Sequence, residues 1–195
     1  QNEKQNEAKK QNENYFSRPP VQIRSTIDEM IRVNHAGEYG AVRIYQGQLS
    51  VLKGTREEPI VEHFLEQEKS HLDGCNESIR RYRARPSALI PLWDIAGFAL
   101  GAVTAAISKD AAMACTEAVE TVIAEHYNDQ LRTLHTEPYS GYGDLRTQIR
   151  KNRDDEIEHL EKSQEEGAKN AVPYELLTGA IKIGCRMAIS IAKKI

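Results

Sequence analysis

Two glutamate–histidine pairs at helical spacing, Glu68/His71 in "EKSH" and Glu156/His159 in "EIEH", place the tightest constraint on how this 195-residue chain folds. Positions three apart share one face of a helix, so each pair aims two ligating side chains at one point. In a glutamate-rich chain such pairs carry little weight alone. Their positions carry more. Reflecting Glu68 through Lys53, beside Gly54, lands on Glu38. Reflecting Glu156 through Pro138 lands on Glu120. With each breaker as the turn of an antiparallel hairpin, a lone glutamate faces a Glu-x-x-His at equal depth. For the first hairpin that depth is about 22 Å from the turn, at about 1.5 Å per residue.

One glutamate from each of two helices, with Glu-x-x-His from each of two others, is the ligand set of ferritin-like di-metal carboxylate bundles. The candidate metal ligands are therefore Glu38, Glu68, His71, Glu120, Glu156 and His159. Carboxylate and imidazole suit iron or manganese. Four glutamates balance two divalent cations, and without metal their converging charges make each carboxyl hold its proton more tightly. Glu117, one turn before Glu120, competes for the same role, but it would move the mirror point off Pro138. Asp155, next to Glu156, is placed to orient a ligand histidine through its other ring nitrogen. Tyr127, two turns after Glu120, is placed to line the site as a hydrogen-bonding or electron-transfer group. Ala36, Gly37, Gly40 and Ala41 flank Glu38 and leave room for a close helix or for a substrate. His35 and His126 read as satisfied polar residues.

The remaining pattern is all-α, with no sustained alternation of the strand kind. Residues 1–14 repeat QNE three times with a single alanine as their apolar content, so residues 1–20 read as a disordered tail and linker. Residues 21–195 read as one bundle domain. Its helices run from a cap at Ser25 or Thr26, with Glu29 in the first turn, to about Lys53. Others run from Pro59 to Arg85, Asp110 to Thr136, Tyr142 to Ala168, and Pro173 to the C-terminus. The net charge of −3 excludes nucleic acid as a charge-driven partner, and three cysteines without a CxxC exclude a thiolate metal site.

Two segments lie outside the four-helix scheme. The stretch 86–108 is apolar on all sides apart from Asp94. Its uncharged run, Ile95 to Ser108, falls short of the roughly 20 residues that span a bilayer. The helix 173–195 carries Leu177, Ile181, Gly184, Ala188, Ile191 and Ile195 on one stripe, with Lys182, Arg186, Lys193 and Lys194 beside it. A cationic amphipathic helix suits an anionic membrane surface; capping the bundle or joining two copies as a homodimer would also bury it.

The blocks "IRVNHAGEYGAVRIYQGQ", "QEKSHL", "RPSALIPLWDIAGFALGA", "AMACTEAVETVIAEHYNDQ" and "RDDEIEHL" resemble the 5-demethoxyubiquinone hydroxylases of ubiquinone biosynthesis, over roughly residues 22–195. The resemblance implies a ferritin-like fold and a centre of two iron ions on the same six ligands. It also implies a polyprenyl quinone substrate, a lipid-binding accessory protein and neighbouring ubiquinone-synthesis enzymes as partners. It implies a peripheral site on the matrix side of the mitochondrial inner membrane, or on the cytoplasmic side of a bacterial inner membrane. The expected activity is an O2-dependent monooxygenase hydroxylating the demethoxyquinone ring, with NADH or the quinol as reductant. The alternatives are a membrane quinol oxidase that passes electrons to O2, and a non-catalytic ferritin-like scaffold. The tail lacks the arginine-rich character of a transit peptide.

Overall fold

The computed structural model describes residues 20–195, so the expectation for the QNE tail lies outside the described residues. Six α-helices account for most of them: α1 (Val21–Leu52), α2 (Glu58–Tyr82), α3 (Ile90–Ile107), α4 (Lys109–Leu134), α5 (Gly143–Glu165) and α6 (Tyr174–Ala192). A short 3-10 turn, Ala168–Asn170, leads into α6. Among the described residues there is no strand.

The helix α1 begins at Val21, behind Pro20, with no side-chain cap and no acid in its first turn. The expected start at Ser25 or Thr26 with Glu29 is therefore corrected. Burial decides the difference. Ile23, Ile27, Met30 and Ile31 continue the apolar stripe upstream and pack with Leu131, Leu134 and Tyr139. Thr26 instead returns its hydroxyl to Gln22 O inside the helix, at 3.2 Å.

Both expected breakers turn the chain. After Leu52, Gly54 takes φ +80°, a conformation that glycine adopts without the Cβ penalty. Pro138 lies in the connection between α4 and α5. The pairs α1/α2 and α4/α5 thus form two hairpins, and α2 meets α5 across the bundle. The buried residues of α2, Val61, Phe64, Leu65, Glu68, His71, Cys75 and Ser78, run down one stripe whose centre turns from apolar to ionisable. In α5 the stripe Leu145, Ile149, Asn152, Glu156, His159, Ser163 does the same.

The helix α4 is buried on every side from Ala111 to Glu120. Its alanines let α3, α5, α6 and the 3-10 turn gather round it. Ser108, the one residue between α3 and α4, caps α4 by accepting a hydrogen bond from Ala111 N at 3.0 Å.

The helix α3 lies along α1 at backbone contact. A Cβ on Gly101 would sit 1.9 Å from Ile44 O, and one on Gly47 would sit 2.2 Å from Phe98 O. The close approach is therefore made by Gly47 and Gly101. Gly40 behaves differently: a Cβ there meets nothing within 4 Å, because this face of α1 borders a groove. Asp94, the single charge of α3, is held by the Tyr39 hydroxyl at 2.7 Å and by Arg43 at 3.0 Å.

Candidate metal centre

The two hairpins bring six ionisable side chains to one level in the bundle. Ligating atoms of Glu38, Glu68, His71 and Glu156 lie within 4.8 Å of one another, and so do those of Glu68, Glu120, Glu156 and His159. Glu68 and Glu156 belong to both groups. Glu38 and His71 complete one, Glu120 and His159 the other. All six are at most 2% exposed.

The atoms that face inward lack partners. Both oxygens of Glu68, both oxygens of Glu156, and Nδ1 of His71 and His159 are buried and accept or donate no hydrogen bond. His71 Nδ1 stands 3.3 Å from Glu156 and 3.5 Å from Glu38; His159 Nδ1 stands 3.3 Å from Glu68 and 3.4 Å from Glu156. Leaving six polar atoms unpaired in a bundle core would cost several kcal/mol. Donor atoms at about 2 Å from a metal ion sit at most about 4 Å apart, so these spacings suit cations at the two focal points. The outward-facing atoms are all engaged, which fixes the ring orientations.

Proton affinities follow the same geometry. Burial, then repulsion from Glu68, pushes the Glu38 carboxyl up to about 7. Burial, then Glu156 and Glu68, holds Glu120 well above the usual carboxylate range. Burial disfavours charge on both imidazoles, but the surrounding glutamates outweigh it: His159 rises to about 10 and His71 is raised further. In the metal-free cluster, protons on histidines supply part of the positive charge that cations would bring.

The hydrogen bonds that support the cluster follow an internal two-fold relation between the hairpins. Tyr127 on α4 donates to Glu38 Oε1 on α1, and Tyr45 on α1 donates to Glu120 Oε1 on α4, at 2.5 Å. Each tyrosine lies seven residues after a lone glutamate and serves the other one. Three residues further on, Gln130 bonds Asn34 at 2.7 Å, and Gln48 bonds Thr116 at 3.3 Å. The histidines obey the same relation. His71 Nε2 meets Asp155, which precedes Glu156, at 2.9 Å; His159 Nε2 meets Gln67, which precedes Glu68, at 2.9 Å. Burial would raise the Asp155 carboxyl, but its bonds to His71 and Lys151 prevail and lower it.

Tyr45, Gln67 and Asn152, whose amide donates to Glu38 Oε1 at 3.0 Å, were not picked out from sequence. The repeat Glu-x6-Tyr-x2-Gln at 38/45/48 and at 120/127/130 was the available signal. Glu117 stands apart from both groups. One of its oxygens accepts from Gln164 at 2.7 Å and from the Tyr174 hydroxyl at 2.8 Å, tying the start of α6 to the bundle. His126 meets Gln130 at 2.8 Å, as expected of a satisfied polar residue, whereas His35 meets Asn76 at 3.2 Å through Nε2 alone and its Nδ1 is buried without a partner, which corrects the expectation there.

On the opposite side of α1 lies an apolar groove of about 520 Å³, walled by α1, α3, α4 and α6. Gly37, Gly40, Ile123, Leu100 and Gly184 line it, and Tyr127 lines its inner wall while bonding Glu38. Burial, then the Glu38 charge, raises the Tyr127 phenol well above its usual value, so it stays protonated.

The family model described as "Ubiquinone biosynthesis protein COQ7" matches residues 25–192. The chain is 47% identical over 172 residues to the human "NADPH-dependent 3-demethoxyubiquinone 3-hydroxylase, mitochondrial", covering 88% of this chain and 79% of that protein. It is 44% identical over 182 residues to the "5-demethoxyubiquinone hydroxylase, mitochondrial" of Saccharomyces cerevisiae, covering 87% and 78%. It is 43% identical over 170 residues to the "3-demethoxyubiquinol 3-hydroxylase" of Rhodospirillum rubrum, again covering 87% and 78%. With a buried carboxylate–histidine cluster at the centre of a ferritin-like bundle, this chain belongs to the COQ7 family of ubiquinone biosynthesis proteins.

Proposed function

We infer that the chain is a di-iron monooxygenase that hydroxylates the ring of a polyprenyl demethoxyquinone in ubiquinone biosynthesis. One observation carries the reading: a cluster of unpartnered carboxylate and imidazole atoms sits one side chain away from an apolar groove. Glu38, Glu68, His71, Glu120, Glu156 and His159 would hold two iron ions, with Glu68 and Glu156 shared. When bound, the irons supply the reduction of O2, of which one atom goes to the ring and the other to water, for two electrons and two protons. A reduced nicotinamide is the electron donor we favour, since the human relative is named NADPH-dependent.

The chain's own residues do the rest. The groove takes the ring and the first part of the prenyl chain, and its apolar walls exclude water. Tyr127 stands between the ring and Glu38, holding a proton at its hydroxyl. Asp155 fixes the ring of His71, so that Nδ1 faces the cluster.

The groove is bounded by α3 and α6, whose outer faces are apolar. On them Ile95 is 71% exposed, Val103 58%, Ile183 61% and Met187 60%. Among the described residues, α3 is the one helix long and apolar enough to cross a membrane. Its backbone contact with α1 at Gly101 would be lost if it did. A peripheral position therefore fits better, with this face on the lipid or on a lipid-presenting accessory protein, and the prenyl tail entering between α3 and α6. A mitochondrial location is proposed after the names of the eukaryotic relatives, and the inner membrane within it is part of this proposal.

The test is turnover with isotope-labelled O2, using iron-loaded protein on liposomes that contain a demethoxyquinone and a reductant. Label in the quinone ring supports the reading. Label recovered in water alone identifies a quinol oxidase instead.

A further inference from the structure

The two-fold relation between the hairpins is broken at two places, and both breaks favour the same half. At the position backing each histidine, His71 has the carboxylate of Asp155 and His159 has the neutral amide of Gln67. Four residues before each shared glutamate stand Asn152 and Phe64. Asn152 donates to Glu38 Oε1, so that one oxygen accepts both this amide and the Tyr127 hydroxyl. Phe64 donates nothing; its ring lies 4.5 Å from the His159 ring. Glu120 Oε1 keeps its bond from Tyr45.

The chemistry of the two halves therefore differs. A hydrogen bond to an ionised acceptor is roughly twice as strong as one between neutral groups. Nε2–H bonded to Asp155 shifts electron density towards Nδ1 and makes His71 the stronger donor to a cation. The carboxylate also adds negative charge behind that half, shared with Lys151, which meets the same Asp155 oxygen at 2.9 Å from the solvent side. Glu38, doubly anchored through one oxygen, is pre-oriented, whereas Glu120 has one anchor.

We propose that the two metal positions are inequivalent: the Glu38/His71 position binds its ion more tightly and fills first, with Asp155 as the positioning residue that sets the order and Gln67 as its weaker counterpart. This inference rests on the di-metal reading of the cluster.

The experiment is a titration of metal-free full-length protein with cobalt(II), followed by calorimetry and by the visible spectrum of the bound ion. The wild type is expected to take up cobalt in two resolved steps, with affinities at least about ten-fold apart. His159→Ala keeps the tighter step and its spectrum, and His71→Ala loses it. Asp155→Asn, equal in size, weakens the tighter step by about 10- to 100-fold and leaves the weaker one in place. Asp155→Glu restores the gap. Gln67→Glu narrows the gap from the other side by strengthening the second step, a gain that a damaged fold would not produce. Two equal steps in the wild type, or an equal loss at both steps in Asp155→Asn, would overturn the inequivalence and leave the di-metal reading intact. A wild type that binds no cobalt would overturn that reading, and the proposal with it.

Discussion

The helix α1 separates two interiors built on opposite rules. On one side, Glu38 meets a cluster in which the outward atoms of both histidines and of the lone glutamates have hydrogen-bond partners and the inward atoms of Glu68, Glu156, His71 and His159 have none. On the other side, Gly37 and Gly40 face about 520 Å³ that no side chain fills. Charge in a low-dielectric core needs fixed geometry, since an unpaired ion is costly there. A flexible apolar substrate needs volume, which glycine and alanine supply without polar demands. Substitutions on the two sides should therefore fail in different ways.

The largest effect is expected on the polar side. Glu156→Ala removes a carboxylate that belongs to both halves of the cluster. Iron content and hydroxylation should both fall to background, by about three orders of magnitude in rate if the metals supply most of the barrier reduction. Helix content should stay, because the variant also relieves repulsion among the carboxylates that remain. Iron per chain and far-ultraviolet circular dichroism read the two halves of this prediction. Turnover at the normal rate would remove Glu156 from the site.

Two glycines sharpen the contrast on the apolar side. Gly101→Ala drives a Cβ into the backbone of Ile44, so α3 must lift from α1. A loss of about 1–3 kcal/mol is expected in thermal or urea unfolding, as for other overpacked contacts. In Gly40→Leu the Cβ meets open space, at a position that lines the groove. This variant should leave stability unchanged or higher by up to about 1 kcal/mol through helix propensity, while lowering turnover of the long-chain quinone at least about ten-fold by filling the groove. Equal loss of stability in both variants would mean that Gly40 serves packing rather than the groove.

The same contrast explains which parts could be read from sequence. The hairpins and the six clustered side chains follow from helix spacing and two breakers, because one residue type at one depth suffices to place them. Tyr45 was marked only by the repeat it shares with Tyr127, and Gln67 and Asn152 carried no such mark, since neither is repeated at the equivalent position of the other hairpin. Which helix face opposes which depends on the rotation of each helix. The start of α1 was displaced because tertiary burial of Ile23 and Ile27 extended a helix that no capping residue marks. The cationic stripe on α6 was legible, but its neighbours were not. Arg186 pairs with Glu125 at 3.0 Å and Lys193 meets Glu29 at 4.0 Å, so acids from other helices temper its charge.

Metal removal exposes the cost of the polar side through pH. In the metal-free protein the Glu38 carboxyl titrates near 7, against an ordinary value of 4.5. A folded-state value above the unfolded one means that the folded form binds the extra proton. The contribution to stability is full below about pH 4.5 and is lost as pH rises through about 7. At about 1.4 kcal/mol per unit, the loss is of the order of 3 kcal/mol. Urea unfolding of chelator-treated protein should therefore show falling stability between pH 5 and pH 7.5, flattened by adding iron(II) or by Glu38→Gln. A flat profile without metal would mean that the cluster relaxes, contrary to the fixed geometry ascribed to it.

The smallest effect on the free protein is expected at the outer face of the groove wall. Ile183 and Met187 are exposed on α6. Replacing both with serine should alter unfolding free energy by no more than about 0.5 kcal/mol, because neither side chain packs inside the bundle. On a membrane the outcome differs. Each side chain contributes about 1.5–3 kcal/mol when fully buried, and partial insertion of the pair should make binding to anionic vesicles about 10- to 100-fold weaker in the double variant. Vesicle co-sedimentation and turnover of a soluble short-chain quinone separate the two. Weaker sedimentation with unchanged short-chain turnover places this face on the lipid and leaves the groove intact. Undiminished sedimentation would put the lipid contact elsewhere, and would mean that α6 walls the groove without joining it to a membrane.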